Sequence, residues 1–276
     1  MSRVAPRVAI VTGGSSGIGA ATAMLLAEQG LRIVVCGSRP ETAAPVVDAI
    51  RAAGGEAVAA TGDAADEATA KAAVATALDS FGRLDVLINN AAITSAAFLA
   101  RDTSIAEMEA EVWTRTLAVN VIGPALFCKH AIPAMIRSGG GSIVMVSSGR
   151  GVQGDLGFTA YGASKAALIN LALNVATQYG KQGIRANAVV VGLVMTPPVE
   201  AATTPEIRDL LRSHHLTPEI GAPRDVAQAI AFLASDAARF VTGATLAADG
   251  GITCHTATYA DFAAMAGGEG MVAAAN

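Results

Sequence analysis

Short runs of apolar, often β-branched residues recur along the chain and alternate with longer Ala-rich stretches of mixed polarity. "RVAIVT" (7–12), "RIVVC" (32–36), "EAVAA" (56–60), "DVLINN" (85–90), "SIVMVSS" (142–148), "IRANAVVV" (184–191) and "ATLAAD" (244–249) read as seven strands. They lack polar alternation, which suits strands buried on both faces of a parallel sheet. Helical segments separate them, the first predicted from Gly17 to Gln29. Repeated βα units predict an α/β fold: a doubly wound, Rossmann-type parallel sheet of about seven strands with helices on both faces. No linker, repeat or low-complexity tract divides residues 1–253, which read as one domain.

Two segments break the rhythm. Residues 192–224 form a long insertion after the sixth strand, and such insertions at strand carboxyl ends are commonly lids. Residues 254–276 form an Ala/Gly-rich extension to which the pattern assigns no role.

Composition sharpens this picture. The chain is 52% hydrophobic and 15% charged, with a mean hydropathy of +0.47, so a membrane protein has to be considered. The longest charge-free run, Val8 to Ala27, carries "TGGSSG" through its middle, and no membrane span is expected. The first residues lack a signal-peptide pattern, and a cytoplasmic location is the expectation. Surplus apolar surface points instead to subunit interfaces and an apolar pocket. Net charge is −4 without a Lys/Arg run, which argues against nucleic acid. Cys36, Cys128 and Cys254 show neither disulfide nor metal spacing, and His214–His215 adjoin without acidic ligands, so no metal is expected.

Three stretches carry candidate chemistry. "TGGSSGIG" follows the first strand and opens the first helix. Gly13 can make the tight turn, Gly17 lets backbone approach a pyrophosphate, and Gly19 permits close helix–strand packing. With Ser15, Ser16 and Ile18 they place a helix N-terminus where phosphate would bind. At the end of the second strand, "VVCGSRPE" offers Ser38 and Arg39 where an NAD site wants an acid. A hydroxyl and a guanidinium suit a ribose 2′-phosphate, which favours NADP(H) over NAD(H). In "YGASK", Tyr161 and Lys165 are one helical turn apart, close enough for the cation to lower the phenol's pKa.

Taken in order, "TGGSSGIG", "NNAA" (89–92), Asn120 in "LAVNV", Ser148 in "MVSSG", "YGASK" and "DGG" (249–251) resemble the short-chain dehydrogenase/reductase family to about Thr253. The resemblance implies that Tyr161 is the general acid/base and that Ser148 holds the substrate oxygen. It also implies that Lys165 acidifies Tyr161 and binds the nicotinamide ribose, and that Asn120 holds a proton-relay water. Cofactor contacts would further include Asp63, Ala64, Asn89, Ala91, Gly192, Val194 and Thr196. Arg150, Leu193 and Val199 would face a small-molecule ketone or alcohol. Reduction of a 3-oxoacyl thioester, or a non-catalytic dinucleotide sensor, are the alternatives. The apolar segments 117–136 and 165–176 imply a homodimer or homotetramer. Two positions depart from the family pattern: Val191-Gly192 replaces Pro-Gly, and Ala92 replaces a glycine.

Overall fold

Successive residues of a strand face opposite sides, and in β1 (Val8–Thr12) both sides are buried. Val8 and Ile10 enter one core, Ala9 and Val11 the other. The computed structural model describes residues 5–266. The chain continues through α1 (Gly17–Glu28), β2 (Arg32–Gly37), α2 (Pro40–Ala52), β3 (Ala57–Thr61), α3 (Glu67–Phe81) and β4 (Val86–Asn89). It then forms α4 (Ala96–Leu99), α5 (Ala110–Leu117), a π turn (Ala118–Ile122), α6 (Gly123–Arg137), β5 (Gly141–Ser148), α7 (Thr159–Tyr179) and β6 (Ile184–Val191). Last come α8 (Pro197–Ala202), α9 (Pro205–Ser213), α10 (Pro223–Ala234), β7 (Thr245–Ala248) and α11 (Tyr259–Met265).

The seven strands form one sheet in the order β3-β2-β1-β4-β5-β6-β7, and every pairing is parallel. The core on one face includes residues of α3, α6 and α7, the other residues of α1, α2 and α10. From β1 the chain moves outward to β2 and β3, then returns to lay β4 on β1's other edge. A parallel sheet opens its ligand crevice outside the carboxyl ends at that reversal. Thr12, Asn89 and Ser148 therefore end their strands on one rim. All seven predicted strands are present, with ends moved by no more than one residue.

The insertion is less of a loop than expected, since it contains α8 and α9. Part of the C-terminal extension is ordered as α11, while residues 267–276 lie outside the described part. One apolar stretch exceeds the expectation of no membrane span. Ala110–Arg137 runs helically for 28 residues and is long and apolar enough, by length and composition, to cross a bilayer. It is built into the domain, where Phe127, Ala131 and Met135 are fully buried in the core.

Asp85 ties three strands where they enter the sheet. Its carboxylate accepts the Val8 N–H at 2.8 Å and two bonds from Arg83 at 2.9 and 2.6 Å. Its own N–H donates to Val8 O, and its carbonyl accepts from Ser142 N. Asp85→Ala leaves a buried N–H and a guanidinium unpaired. It is expected to cost roughly 2–4 kcal/mol of unfolding free energy, read by urea titration.

Candidate active site

The turn after β1 is shaped by its glycines. Gly13 and Gly17 have φ of +62° and +52°. A Cβ on Gly19 would lie 2.1 Å from Gly13 O. This leaves the start of α1 bare, with no side-chain cap on its first N–H groups, a cradle that fits a pyrophosphate. The cradle is braced from behind. Asn90 Nδ2 donates to Thr12 O at 3.0 Å and to Gly13 O at 3.2 Å. Thr12 Oγ1 accepts from Asn90 N at 2.9 Å and Ala91 N at 3.0 Å, and donates to Ile88 O.

Asn89, expected beside a cofactor ribose, points elsewhere. It is 1% exposed, and its amide faces Cys128 Sγ and Met145 Sδ in the core. Strand parity is the reason: β4's last side chain turns into the sheet, and its neighbour Asn90 turns towards the glycines. Ala92 does not need the left-handed conformation, which among described non-glycine residues only Phe158 adopts. Val191 closes β6 as a buried, paired residue, and a Cβ on Gly192 would meet Asp249 Cα at 2.8 Å.

Beyond β2, Gly37 is adjacent to Ser15, whose Cβ lies 3.2 Å from where a Cβ on Gly37 would sit. Arg39 is exposed at the start of α2, with its Nε 3.6 Å from Glu41. Asp63 accepts the Ala65 N–H at 3.0 Å and pairs with Arg115 at 2.6 Å. Ala64 packs closely enough on α6 that a Cβ on Gly123 would strike its carbonyl at 2.4 Å.

Helix α7 brings the reactive groups to the end of β5. Tyr161 is half-buried. Burial pushes its phenol pKa up, while a hydrogen bond from Ser148 and the Arg150 charge pull it down. Lys165 is only 2% exposed, and its Nζ donates to Val146 O at 2.8 Å. That Nζ lies 5.4 Å from the Tyr161 ring centre, and burial pushes its own pKa down to about 8. The charge that pulls the phenol down is Arg150, and burial outweighs it. The Arg150 guanidinium sits 3.9 Å over the Phe158 ring and binds Asp155 at 2.6 Å. The adjacent Ser147 is buried and donates to Lys165 O at 2.7 Å, so Ser148 is the serine at the phenol.

Asn120 sits in the π turn, a feature frequent at functional sites. Its side chain is committed to protein: Oδ1 accepts Ile93 N at 3.0 Å, and Nδ2 donates to Ser164 Oγ at 3.0 Å. Ser164 donates on to Tyr161 O at 2.6 Å. Asp102, which no motif contains, is 3% exposed and accepts the N–H groups of Ala160 and Tyr161 at 2.9 and 2.8 Å.

The insertion leans over this rim. Thr196 Cγ2 lies 3.4 Å from where a Cβ on Gly17 would be. Val194 is buried and bridges to Gly221, while Leu193 and Val199 are half-buried. Ile207 and Leu210 of α9 are exposed apolar residues. The insertion's far stem is tied to the body and the extension: Leu216 N donates to Gly250 O at 2.7 Å, and His255 Nε2 meets His214 O at 2.7 Å.

Comparison with known proteins agrees with this geometry. The family profile described as enoyl-(acyl carrier protein) reductase matches residues 13–253. A probable short-chain type dehydrogenase/reductase of Bradyrhizobium diazoefficiens is 45% identical over 262 residues, 95% of this chain and 92% of the relative. A cis-4-hydroxycyclohexanecarboxylate dehydrogenase of Sinomonas cyclohexanicum is 43% identical over 90% of this chain and 97% of the relative. A 7alpha-hydroxysteroid dehydrogenase of Bacteroides fragilis is 35% identical over 94% and 98%.

The depressed Lys165 pKa has a consequence for stability. An unfolded lysine keeps its proton to about 10.5, the folded one to about 8. Between these values the unfolded chain binds more protons, so this group's burden on the fold is full below pH 8 and lifts as pH rises towards 10.5. Lys165→Met should raise the melting temperature at pH 7, with the gain shrinking across that window. A variant less stable than wild type at pH 7 would contradict an uncompensated ammonium.

Proposed function

The chain belongs to the short-chain dehydrogenase/reductase family, an oxidoreductase family acting on CH–OH and C=O groups with a nicotinamide dinucleotide, and from that footing we propose a ketone/secondary-alcohol oxidoreductase that prefers NADP(H) and takes a cyclic, largely apolar substrate. The observation that carries this reading is the Tyr161 phenol beside Ser148 at the end of β5, with Lys165 buried one turn deeper. The glycine cradle would hold the pyrophosphate, and Ser38 with Arg39 a 2′-phosphate. The dinucleotide supplies or removes the hydride.

Each protein group then has one task. The Ser148 hydroxyl donates to the substrate oxygen and orients it. The Tyr161 hydroxyl gives its proton to that oxygen during reduction and takes it back during oxidation. Arg150 and Lys165 favour the phenolate that remains. Asn120, through Ser164, braces the Tyr161 backbone. Exposed Ile207 and Leu210 give the insertion an apolar face for the ring, and relatives named for a hydroxycyclohexanecarboxylate, a hydroxysteroid and cyclohexanol support a cyclic alcohol. Reduction of a 3-oxoacyl thioester is less well supported despite the profile's description. It wants a basic docking patch, and Arg208 and Arg212 are paired with Glu200 and Asp209. A non-catalytic sensor has no use for the intact Ser148, Tyr161 and Lys165.

We also propose a homodimer or homotetramer built on α6 and α7. A groove of about 510 Å³ between them is lined by Ile132, Ile136, Leu171, Val175 and Tyr179, and Ile122 and Leu173 are exposed nearby in sequence.

Two measurements test these readings. Cyclohexanone, a decalone and a ketosteroid are offered with NADPH and NADH while nicotinamide absorbance is followed. Turnover with at least one ring ketone, higher kcat/KM for NADPH, and loss of turnover in Tyr161→Phe with NADPH affinity retained are expected. A wild-type rate in that variant would overturn the mechanism, and a large NADH advantage the cofactor preference. Light scattering at assay concentration should give a dimer or larger; a monomer would refute the assembly.

A further inference from the structure

Helix α7 runs for 21 residues from Thr159 to Tyr179, yet its own start supplies no cap. The residue before it, Phe158, takes a left-handed conformation with φ of 57° and gives no side-chain hydrogen bond. A bulky residue is strained there. The missing cap arrives from 58 residues upstream. Asp102 Oδ1 accepts the Ala160 N–H at 2.9 Å, and Oδ2 accepts the Tyr161 N–H at 2.8 Å. The backbone adds two more ties: Phe158 N donates to Asp102 O at 2.8 Å, and Thr159 Oγ1 to Thr103 O at 2.9 Å.

The cost of this arrangement makes it informative. Asp102 is a nearly inaccessible carboxylate, and among the described residues its carboxylate's hydrogen bonds come from backbone N–H groups, with no ion pair. Burial of an anion without a cation is expensive, and the positive end of a long helix is one of the few places that offsets it. An ordinary cap would do this with Ser or Asn in the preceding position. Here the cap is fused to a different loop, and one of its two bonds lands on the amide of the residue whose phenol meets Ser148. The Tyr161 backbone is thus held from both ends, by Asp102 at its N–H and by Ser164 at its carbonyl.

We propose that Asp102 is a positioning residue for Tyr161: by taking the N–H groups of Ala160 and Tyr161 in its two carboxylate oxygens, it fixes the phenol against Ser148 from the loop between α4 and α5. This rests on Tyr161 being the proton-transferring group. Asp102 touches no reacting atom. Misplacement of a reacting group by about 1 Å costs up to about a hundredfold in rate, so a loosened anchor shows in kcat rather than in cofactor binding.

The test uses the full chain with tyrosine labelled by 13C at Cζ. The sequence has three tyrosines, Tyr161, Tyr179 and Tyr259, and Tyr161→Phe assigns the resonance of interest. Asp102→Asn and Asp102→Ala are compared with wild type in two ways: the pH titration of the Tyr161 resonance, and turnover of cyclohexanone with NADPH normalised to titrated NADPH-binding sites. Normalisation removes the effect of misfolded protein, which a merely structural role would produce. Expected are a displaced or broadened Tyr161 resonance in both variants and unchanged NADPH affinity. The per-site kcat should fall about tenfold or more in the alanine variant and less in the asparagine variant, which keeps one acceptor. If Asp102→Ala does not fold, Asp102→Asn decides. A Tyr161 resonance and per-site kcat equal to wild type in the folded variants would overturn the proposal. Should wild type turn over no ring ketone, the functional reading fails, and the resonance alone still decides whether Asp102 places the phenol.

Discussion

The contact between β5 and the start of α7 governs the rest of the site. It is sewn by two bonds in opposite directions: Ser147 Oγ donates to Lys165 O, and Lys165 Nζ donates back to Val146 O. Close packing enforces it, since a Cβ on Gly151 would strike the Lys165 carbonyl carbon at 2.8 Å. Because strand residues alternate, fixing Ser147 against the helix backbone decides where Ser148 must point. The phenol four residues before Lys165 then has one place to go. A sheet edge and a helix face become a reactive pair through registry, not through a flexible loop.

How much of this the sequence disclosed depends on how far each signal reaches. Strands buried on both faces leave unbroken apolar runs, as in β1, β2, β4, β5 and β6, and the less buried edge strands β3 and β7 are still apolar enough to be read within a residue. The glycine turn and the Tyr161–Lys165 spacing are local and equally legible. Asn89 and Asn90 show the limit: the motif names both, but which one faces the glycines depends on where β4 ends. Asp102 left no signal, since its partners lie nearly sixty residues away. Helix α9 does leave one: Thr204 followed by Pro205 and Glu206 is a helix start, and Thr204 Oγ1 accepts the Ile207 N–H.

The acid–base picture could not have come from spacing. How far each group is desolvated, and which charge lies near the phenol, are properties of the folded chain. A lysine walled in by α7 and β5 is a reluctant cation, whereas the Arg150 guanidinium lies over Phe158 and is held by Asp155. Among the described residues, Lys165 and Asp102 are each buried without an ion-pair partner, one on either side of Tyr161 in sequence. Such groups tax stability, and proteins retain them at sites where geometry matters more than robustness.

The Val194–Gly221 bridge, reinforced by Met195 N donating to Gly221 O, joins the two stems of the insertion at its base. Beyond that bridge the chain is pinned a second time, where Leu216 N meets Gly250 O and His255 meets His214 O, so α8 and α9 are strung between two fixed points. A cover strung this way can give in its middle while both of its ends keep their place.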